Sequence, residues 1–277
     1  MSTGSTTRNG PKEELMNKQA GSSTGDGTVG KALEVLDKVA AVGSPVRFSE
    51  LLSESTHPKA TLYRLLQTLV SQGMLAYDER QQTYSLGIRL VRLAHAAWRQ
   101  SSIAPIARPF INALSEAVGE TVHLAQLDSG QVLYVDKRNP TNAIDMFSQA
   151  GKVGPAYCTG VGKALMAFLE PADLDHVLKK QSFYRYTPAT LASEAELRAD
   201  LEKIREEGLS YDREEHEPGI ICIAAPILSS KGRPVGALSV TTSTQRKSLE
   251  QLLEARPALL DTASKIAAAV EDWQFPA

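Results

Sequence analysis

Along residues 28–42, Val29, Leu33, Leu36, Val39 and Ala40 recur at helical spacing. That pattern predicts an amphipathic helix, and Gly43-Ser44-Pro45 ends it. The spacing predicts a second helix opening at Ser49 as N-cap, with Leu51 and Leu52 turned inward. Thr56-His57-Pro58 then makes a turn. Leu62, Leu65, Leu66, Leu69 and Val70 repeat at three and four, predicting a helix from Pro58 to Ser71 that Gly73 caps. Pro58 suits its first turn, where a missing N–H is not needed. The period changes next: Leu75–Tyr77 and Thr83–Leu86 flank the polar run Asp78–Gln82, as in a short hairpin. Two helices, a turn and a hairpin outline a winged helix-turn-helix, a unit that sets the start of its second helix in a DNA major groove.

Helical spacing resumes from Ile88 to Gln100 through Leu90, Val91, Leu93, Ala94, Ala97 and Trp98. This stretch reads as a linker helix wide enough in its apolar face to serve dimerisation, and a further helix follows from Pro105 to Val118. After Glu120 the pattern turns to strands: Thr121–Leu127 and Gln131–Lys137 around Asp128-Ser129-Gly130, then Ile144–Ser148. Helices are expected over Thr159–Leu169, 172–180 and 193–207, the last ended by Gly208. Strands follow at Ser210–Asp212, Ile220–Leu228 and Val235–Thr242, and a single helix over 248–272 closes the chain. The expected fold class is an α winged helix-turn-helix followed by an α+β domain with an antiparallel sheet. The division is a flexible tail at 1–27, the winged unit at 28–87, the linker at 88–103 and an effector-binding domain at 104–277. The tail is rich in Ser, Thr, Gly and Asn and too poor in apolar groups to offset its ordering entropy.

Charge sharpens this division. The chain carries a net −2, yet residues 28–100 hold nine Lys/Arg against six acids, while residues 101–277 hold 18 against 23. A basic head on an acidic body suits a protein that meets phosphate at one end. At the start of the second helix Lys59, Thr61, Tyr63 and Arg64 face outward. Arg64 suits bidentate contact with guanine, and the others suit phosphate or thymine methyl. Arg80, at the wing tip, suits backbone or minor groove. Cys158 and Cys222 are the only cysteines and form no CxxC pair, so neither a zinc ribbon nor a disulfide framework is indicated. No apolar run has membrane-span length and no signal-peptide core opens the chain, which makes a reducing cytoplasm the expected location.

Two clusters could carry chemistry. Asp212-Arg-Glu-Glu-His216-Glu217-Pro218-Gly219-Ile-Ile-Cys222 gathers acids, an imidazole and a thiol ahead of an apolar strand. It can be read as a metal site (Asp212, His216, Cys222), as a nucleophilic cysteine with a histidine base, as a charged loop entering the core, or as a pocket wall. One thiolate at irregular spacing argues against the metal, and the apolar neighbours of Cys222 argue against a reactive thiol. Cys158-Thr159-Gly160-Val161-Gly162-Lys163-Ala164 fails as a nucleotide phosphate loop, because Tyr157 replaces the first glycine and Ala164 the magnesium-binding hydroxyl. Its glycines serve either an anion at a helix start or close helix–sheet packing. No enzyme, cofactor or metal is expected.

Together PKATLYRLLQTLVSQGML, YSLGIRLVRLA, GPAYCTGVGKALMAFL, EEGLSYDREEHEPGIICIAAPI and GRPVGALSVTTST resemble the IclR family of bacterial transcription regulators over residues 28–273. The resemblance implies a GAF-like effector domain and dimers or pairs of dimers on palindromic double-stranded operators. It also implies a small-acid pocket in which Gly160 and Val161 offer backbone N–H groups and Asp212 accepts from the ligand. Cys222 would form the floor, with Ser239 and Thr241 donating to carboxylate. Val161 and Thr241 stand where alanine and serine are frequent in the family, which alters pocket volume, and Ala60 replaces a common serine in the DNA reader. TVHLAQLDSGQVLYVDK, Met146-Phe147-Ser148, EEHEPGIICIAAPI and Asp272–Pro276 look most like the branch that senses 2-keto-3-deoxygluconate. Such a sugar acid suits a pocket that includes His123, Met146, Tyr157 and His216. The reading is therefore a repressor of sugar-acid catabolism, the alternative being a family member that answers another small organic or aromatic acid.

Overall fold

The computed structural model describes residues 27–140, 144 and 146–271, so most of the expected tail and the Asp272–Pro276 segment lie outside the described residues. The chain divides into two compact units, Met1–Ala96 and Ala97–Ala277.

In the first unit α1 (Thr28–Val42) buries Val35, Leu36 and Val39, and the left-handed Gly43 ends it. A two-residue strand, β1 (Val46–Arg47), precedes α2 (Phe48–Ser53). Helix α2 opens two residues earlier than the Ser49 cap predicts, because the Glu50 carboxylate accepts from the Arg47 N–H (3.5 Å) and makes Arg47 the cap. The next helix, α3 (Lys59–Ser71), takes Pro58 as its N-cap and buries Leu62, Leu65, Leu66 and Leu69. Its chain reverses at Gly73, which lies in the left-handed region. Strands β2 (Leu75–Asp78) and β3 (Thr83–Leu86) form the wing, and β1 adds to β3 through Val46 opposite Tyr84. Gly87 is required by close approach: its N–H donates to Met74 O (2.8 Å), and a Cβ there would strike the Gly73 and Met74 backbone. Helix α4 (Ile88–Ser101) crosses the division between the units, with Ile88, Val91 and Leu93 exposed.

The second unit starts with α5 (Ala104–Val118) and the hairpin β4 (Thr121–Asp128) and β5 (Gln131–Arg138). The expected strand at Ile144–Ser148 is absent: residues 144 and 146–148 are irregular. Side chains take two of the backbone groups: the Phe147 N–H donates to Glu217 Oε2 (3.1 Å) and Lys137 Nζ donates to Ser148 O (2.8 Å). The strand beside β5 is β6 (Val153–Pro155), whose proline is tolerated at the sheet edge. Helices α6 (Gly160–Met166), α7 (Pro171–Leu178) and α8 (Glu194–Glu207) follow. Then come β7 (Ser210–Arg213), β8 (Ile220–Leu228) and β9 (Pro234–Ser243). The closing helix is not continuous. It runs as α9 (Leu249–Leu252), a 3-10 turn (Leu253–Ala255) and α10 (Arg256–Ala269), which restarts with Pro257 in its first turn, where proline lacks only an N–H that has no helical partner.

The six strands form one antiparallel sheet in the order β6-β5-β4-β9-β8-β7. Alternation gives its two faces different chemistry. Val122, Leu124, Ile221, Ile223, Ile227, Leu238 and Val240 point to one face and pack with α5 and α10. The other face carries smaller or polar groups, among them Ala224 and Ala237, under α6, α7 and α8. Large aliphatics fill the first interface. The second has room for a cavity.

Candidate functional site

That cavity follows from strand register. Asp212 pairs with Cys222, and Cys222 with Thr241, so these three stand side by side across β7, β8 and β9. In the next row His123 of β4 pairs with Ser239 of β9. Asp212, Cys222, Thr241, Ser239 and His123 thus share the small-residue face. Gly160 and Val161, at the start of α6, close the cavity from above, and a Cβ on Gly160 would collide with the Cys222 thiol. The space open to the centres of water-sized molecules is about 30 Å³.

Hydrogen bonds fix the floor. His123 Nδ1 lies 3.3 Å from Ser239 Oγ and 3.2 Å from Thr241 Oγ1, and these two oxygens are 3.2 Å apart. Its Nε2 lies 2.8 Å from Ser148 Oγ. Burial, aided by the Lys137 cation, lowers the His123 pKa to about 3, so the ring is neutral at ordinary pH. Asp212 is raised to about 7 by burial and then by the nearby Glu215, against the pull of a Glu215 N–H donated to its Oδ1 (2.8 Å). The Cys222 thiol is pushed well up by burial and then by Asp212, which makes it an inert neutral wall rather than a nucleophile.

Behind this wall sits a buried cation. Lys163 Nζ donates to Glu215 Oε1 (2.7 Å) and Asp200 Oδ2 (2.8 Å) with no solvent exposure. Burial alone would lower its pKa, but the two carboxylates outweigh burial and hold it protonated. Gly162 serves close packing, since a Cβ there would meet the Ala156 backbone and Thr159 Oγ1.

Of the sequence-derived pocket residues, Gly160, Val161, Asp212, Cys222, Ser239, Thr241, His123, Met146 and His216 all line the cavity. Tyr157 does not. Its hydroxyl donates to Tyr184 O and its ring packs against Phe183 and Tyr186. Tyr134, Ser148, Thr159, Glu217 and Ile220 also line it, although the sequence assigns none of them a pocket role of its own. Ile220 shares the parity of Cys222, a usable signal; Glu217 reaches the site only through a loop. Among the described residues no group of three or more His, Cys, Asp or Glu side chains is placed to hold a metal ion, so Asp212, His216 and Cys222 do not form such a site.

In the first unit Lys59, Tyr63 and Arg64 are exposed on the first turns of α3, with Thr61 half-buried and Arg80 exposed on the wing. Asp78 shapes the tip by accepting from the Arg80 and Gln81 N–H groups (2.8 and 3.0 Å). Tyr63 leans edge-on against Phe48 at 6.1 Å. Between α3 and the wing lies a groove of about 830 Å³, bordered by Lys59, Tyr63, Tyr77 and Tyr84.

A winged helix with a basic reading end and a separate sheet domain enclosing a polar cavity together define a ligand-responsive, DNA-binding transcription regulator. Residues 28–79 match the IclR helix-turn-helix domain, and residues 95–268 match the family described as bacterial transcriptional regulator IclR C-terminal. The chain belongs to the IclR family. It is 33% identical over 236 residues to the HTH-type transcriptional regulator BhcR of Paracoccus denitrificans, covering 85% of this chain and 84% of the relative. It is 31% identical over 251 residues to the HTH-type transcriptional regulator KdgR of Escherichia coli, covering 90% and 95%. The crystal structure of the Thermotoga maritima IclR superposes with a TM-score of 0.73 at 29% identity, covering 88% of this chain and 98% of that one. These relatives are regulators rather than enzymes, in accord with the inert thiol. Among the described residues no helix is long and apolar enough to cross a membrane.

Proposed function

We propose that the protein represses genes of sugar-acid catabolism in the cytoplasm and releases its operator when a small 2-keto acid of the 2-keto-3-deoxygluconate type enters the cavity. The observation that carries this reading is the polarity of the cavity. Ser239 and Thr241 on the sheet floor and Gly160 and Val161 above it offer donors, and the Asp212 carboxyl, also on the floor, offers an acceptor. A carboxylate beside Ser239 and Thr241, with a ligand hydroxyl or hydrated carbonyl toward Asp212, satisfies both. A water needs roughly 10–15 Å³ by the same measure of volume, so the cavity suits an acid head group. A ligand of sugar-acid length requires the Met146 and Glu217 side to yield. The likeness to KdgR over nearly the whole chain supports the ligand class.

On DNA, Arg64, Lys59, Thr61 and Tyr63 read one half-site and Arg80 steadies the wing. A homodimer or a dimer of dimers spans a palindrome whose half-sites lie about one helical turn apart. The exposed apolar residues of α4 support such pairing. Calorimetric titration with 2-keto-3-deoxygluconate, other keto acids and aromatic acids tests the ligand. Saturable binding of the sugar acid, weakened at least tenfold by Ser239→Ala with Thr241→Ala, is expected. Binding unchanged in that double variant would remove the pocket from the account.

A further inference from the structure

The hydrogen-bond triangle of His123, Ser239 and Thr241 has two possible proton arrangements, and they differ in what the cavity offers. If Nε2 carries the ring proton, Nδ1 is an acceptor and consumes one of the two hydroxyl hydrogens. If Nδ1 carries it, both hydroxyl oxygens receive from the ring and neither hydroxyl hydrogen is taken by it; one can bridge the 3.2 Å between the two oxygens until a carboxylate draws both. The distances favour the second. Nδ1 is nearly equidistant from Ser239 Oγ (3.3 Å) and Thr241 Oγ1 (3.2 Å), as in a shared three-centre N–H bond, whereas Nε2 makes one short contact of 2.8 Å to Ser148 Oγ. Ser148 is itself held, because Lys137 Nζ donates to its carbonyl (2.8 Å).

We propose that His123 is a positioning residue for ligand selection: Ser148 donates to Nε2, fixes the Nδ1–H tautomer, and so frees the Ser239 and Thr241 hydroxyl hydrogens to meet a carboxylate. This rests on the reading of the cavity as an acid site, but the tautomer itself is a property of the protein alone. Because the buried ring stays neutral, the selection works through proton placement rather than charge. A carboxylate presents only acceptors and fits two donors; a carboxamide presents its NH₂ to one of them and does not.

The test is ¹⁵N NMR of the full-length protein with labelled histidine, in which five imidazoles are observed. The His123 resonances are assigned by their loss in His123→Asn or, should that variant not fold, by substituting the other four in turn. The expected result between pH 6 and 8 is a neutral ring protonated at Nδ1. A ring protonated at Nε2, or one averaging both forms, would overturn the proposal. In Ser148→Ala the signal should move toward the other tautomer, and no movement would also overturn it. A titration of 2-keto-3-deoxygluconate then separates the two readings. His123→Asn, which keeps an N–H near Nδ1, should retain affinity within about threefold, and His123→Phe should lose at least tenfold. Equal affinity in both would reject the positioning role. Absence of binding to the wild-type chain would reject the ligand class and leave the tautomer result standing.

Discussion

Asp212 is pressed from two sides: burial and Glu215 favour its neutral form, while the Glu215 N–H and the Lys163 ammonium favour the carboxylate. The first pair prevails and the group titrates near 7 instead of 3.8. A raised carboxyl pKa means that the folded chain binds more protons than the unfolded chain between about pH 4 and 7. Its contribution is present below the unfolded pKa and is lost as pH rises through 7. Asp212→Asn removes that loss and keeps an oxygen for the Glu215 N–H. Denaturant melts of the effector unit should therefore show the variant gaining on wild type by about 2–3 kcal/mol between pH 5 and pH 8. Parallel pH profiles of the two proteins would refute the shift. The same substitution should weaken binding of a hydroxylated acid, because an amide accepts less strongly than a carboxylate. At this scale the sequence was informative wherever strand parity applied: Ser239 and Thr241 alternate on one strand, and Asp212 and Cys222 fall opposite each other once the register is known. Where contact depends on a loop, as for Glu217, it offered a cluster but no position, and Tyr157 packs instead with neighbours 183–186 that are remote in sequence.

Among the elements, long periodic runs were legible and short or non-local ones were not. The helices of the winged unit, the hairpin β4–β5 and the strands β8 and β9 follow from spacing alone. Strand β1 has two residues and exists only because β3 lies beside it; β6 contains Gly154-Pro155, which reads as a turn until an edge position is known. The stretch 144–148 alternates like a strand in sequence, yet the Phe147 N–H and the Ser148 carbonyl are taken by the Glu217 and Lys137 side chains. Lys163 ties three elements together, joining α6 to Asp200 of α8 and to Glu215 in the β7–β8 connection. Truncating one partner of a buried ion pair strands the others, so Lys163→Met should destabilise the effector unit by about 3–5 kcal/mol. Adding Glu215→Leu should recover part of that loss. Thermal melts that follow the two units separately would show it, and a melt of Lys163→Met equal to wild type would contradict the role assigned to the cluster.

For the whole molecule, a basic reading unit and an acidic sensing unit share one chain, joined through α4. A ligand changes DNA occupancy only by binding one conformational state better than another, so the cavity matters to transcription through a difference in binding between two states. Specific DNA affinity should fall steeply with salt if Lys59, Arg64 and Arg80 make the proposed contacts, since each phosphate neutralised releases condensed counterions. The most direct test is a gel shift with the full-length protein on DNA upstream of its own gene and the adjacent genes, with and without 2-keto-3-deoxygluconate. A salt-sensitive, sequence-selective complex that the acid dissolves is expected. A selective complex that persists at saturating acid, or that forms only when the acid is added, would contradict the repressor reading.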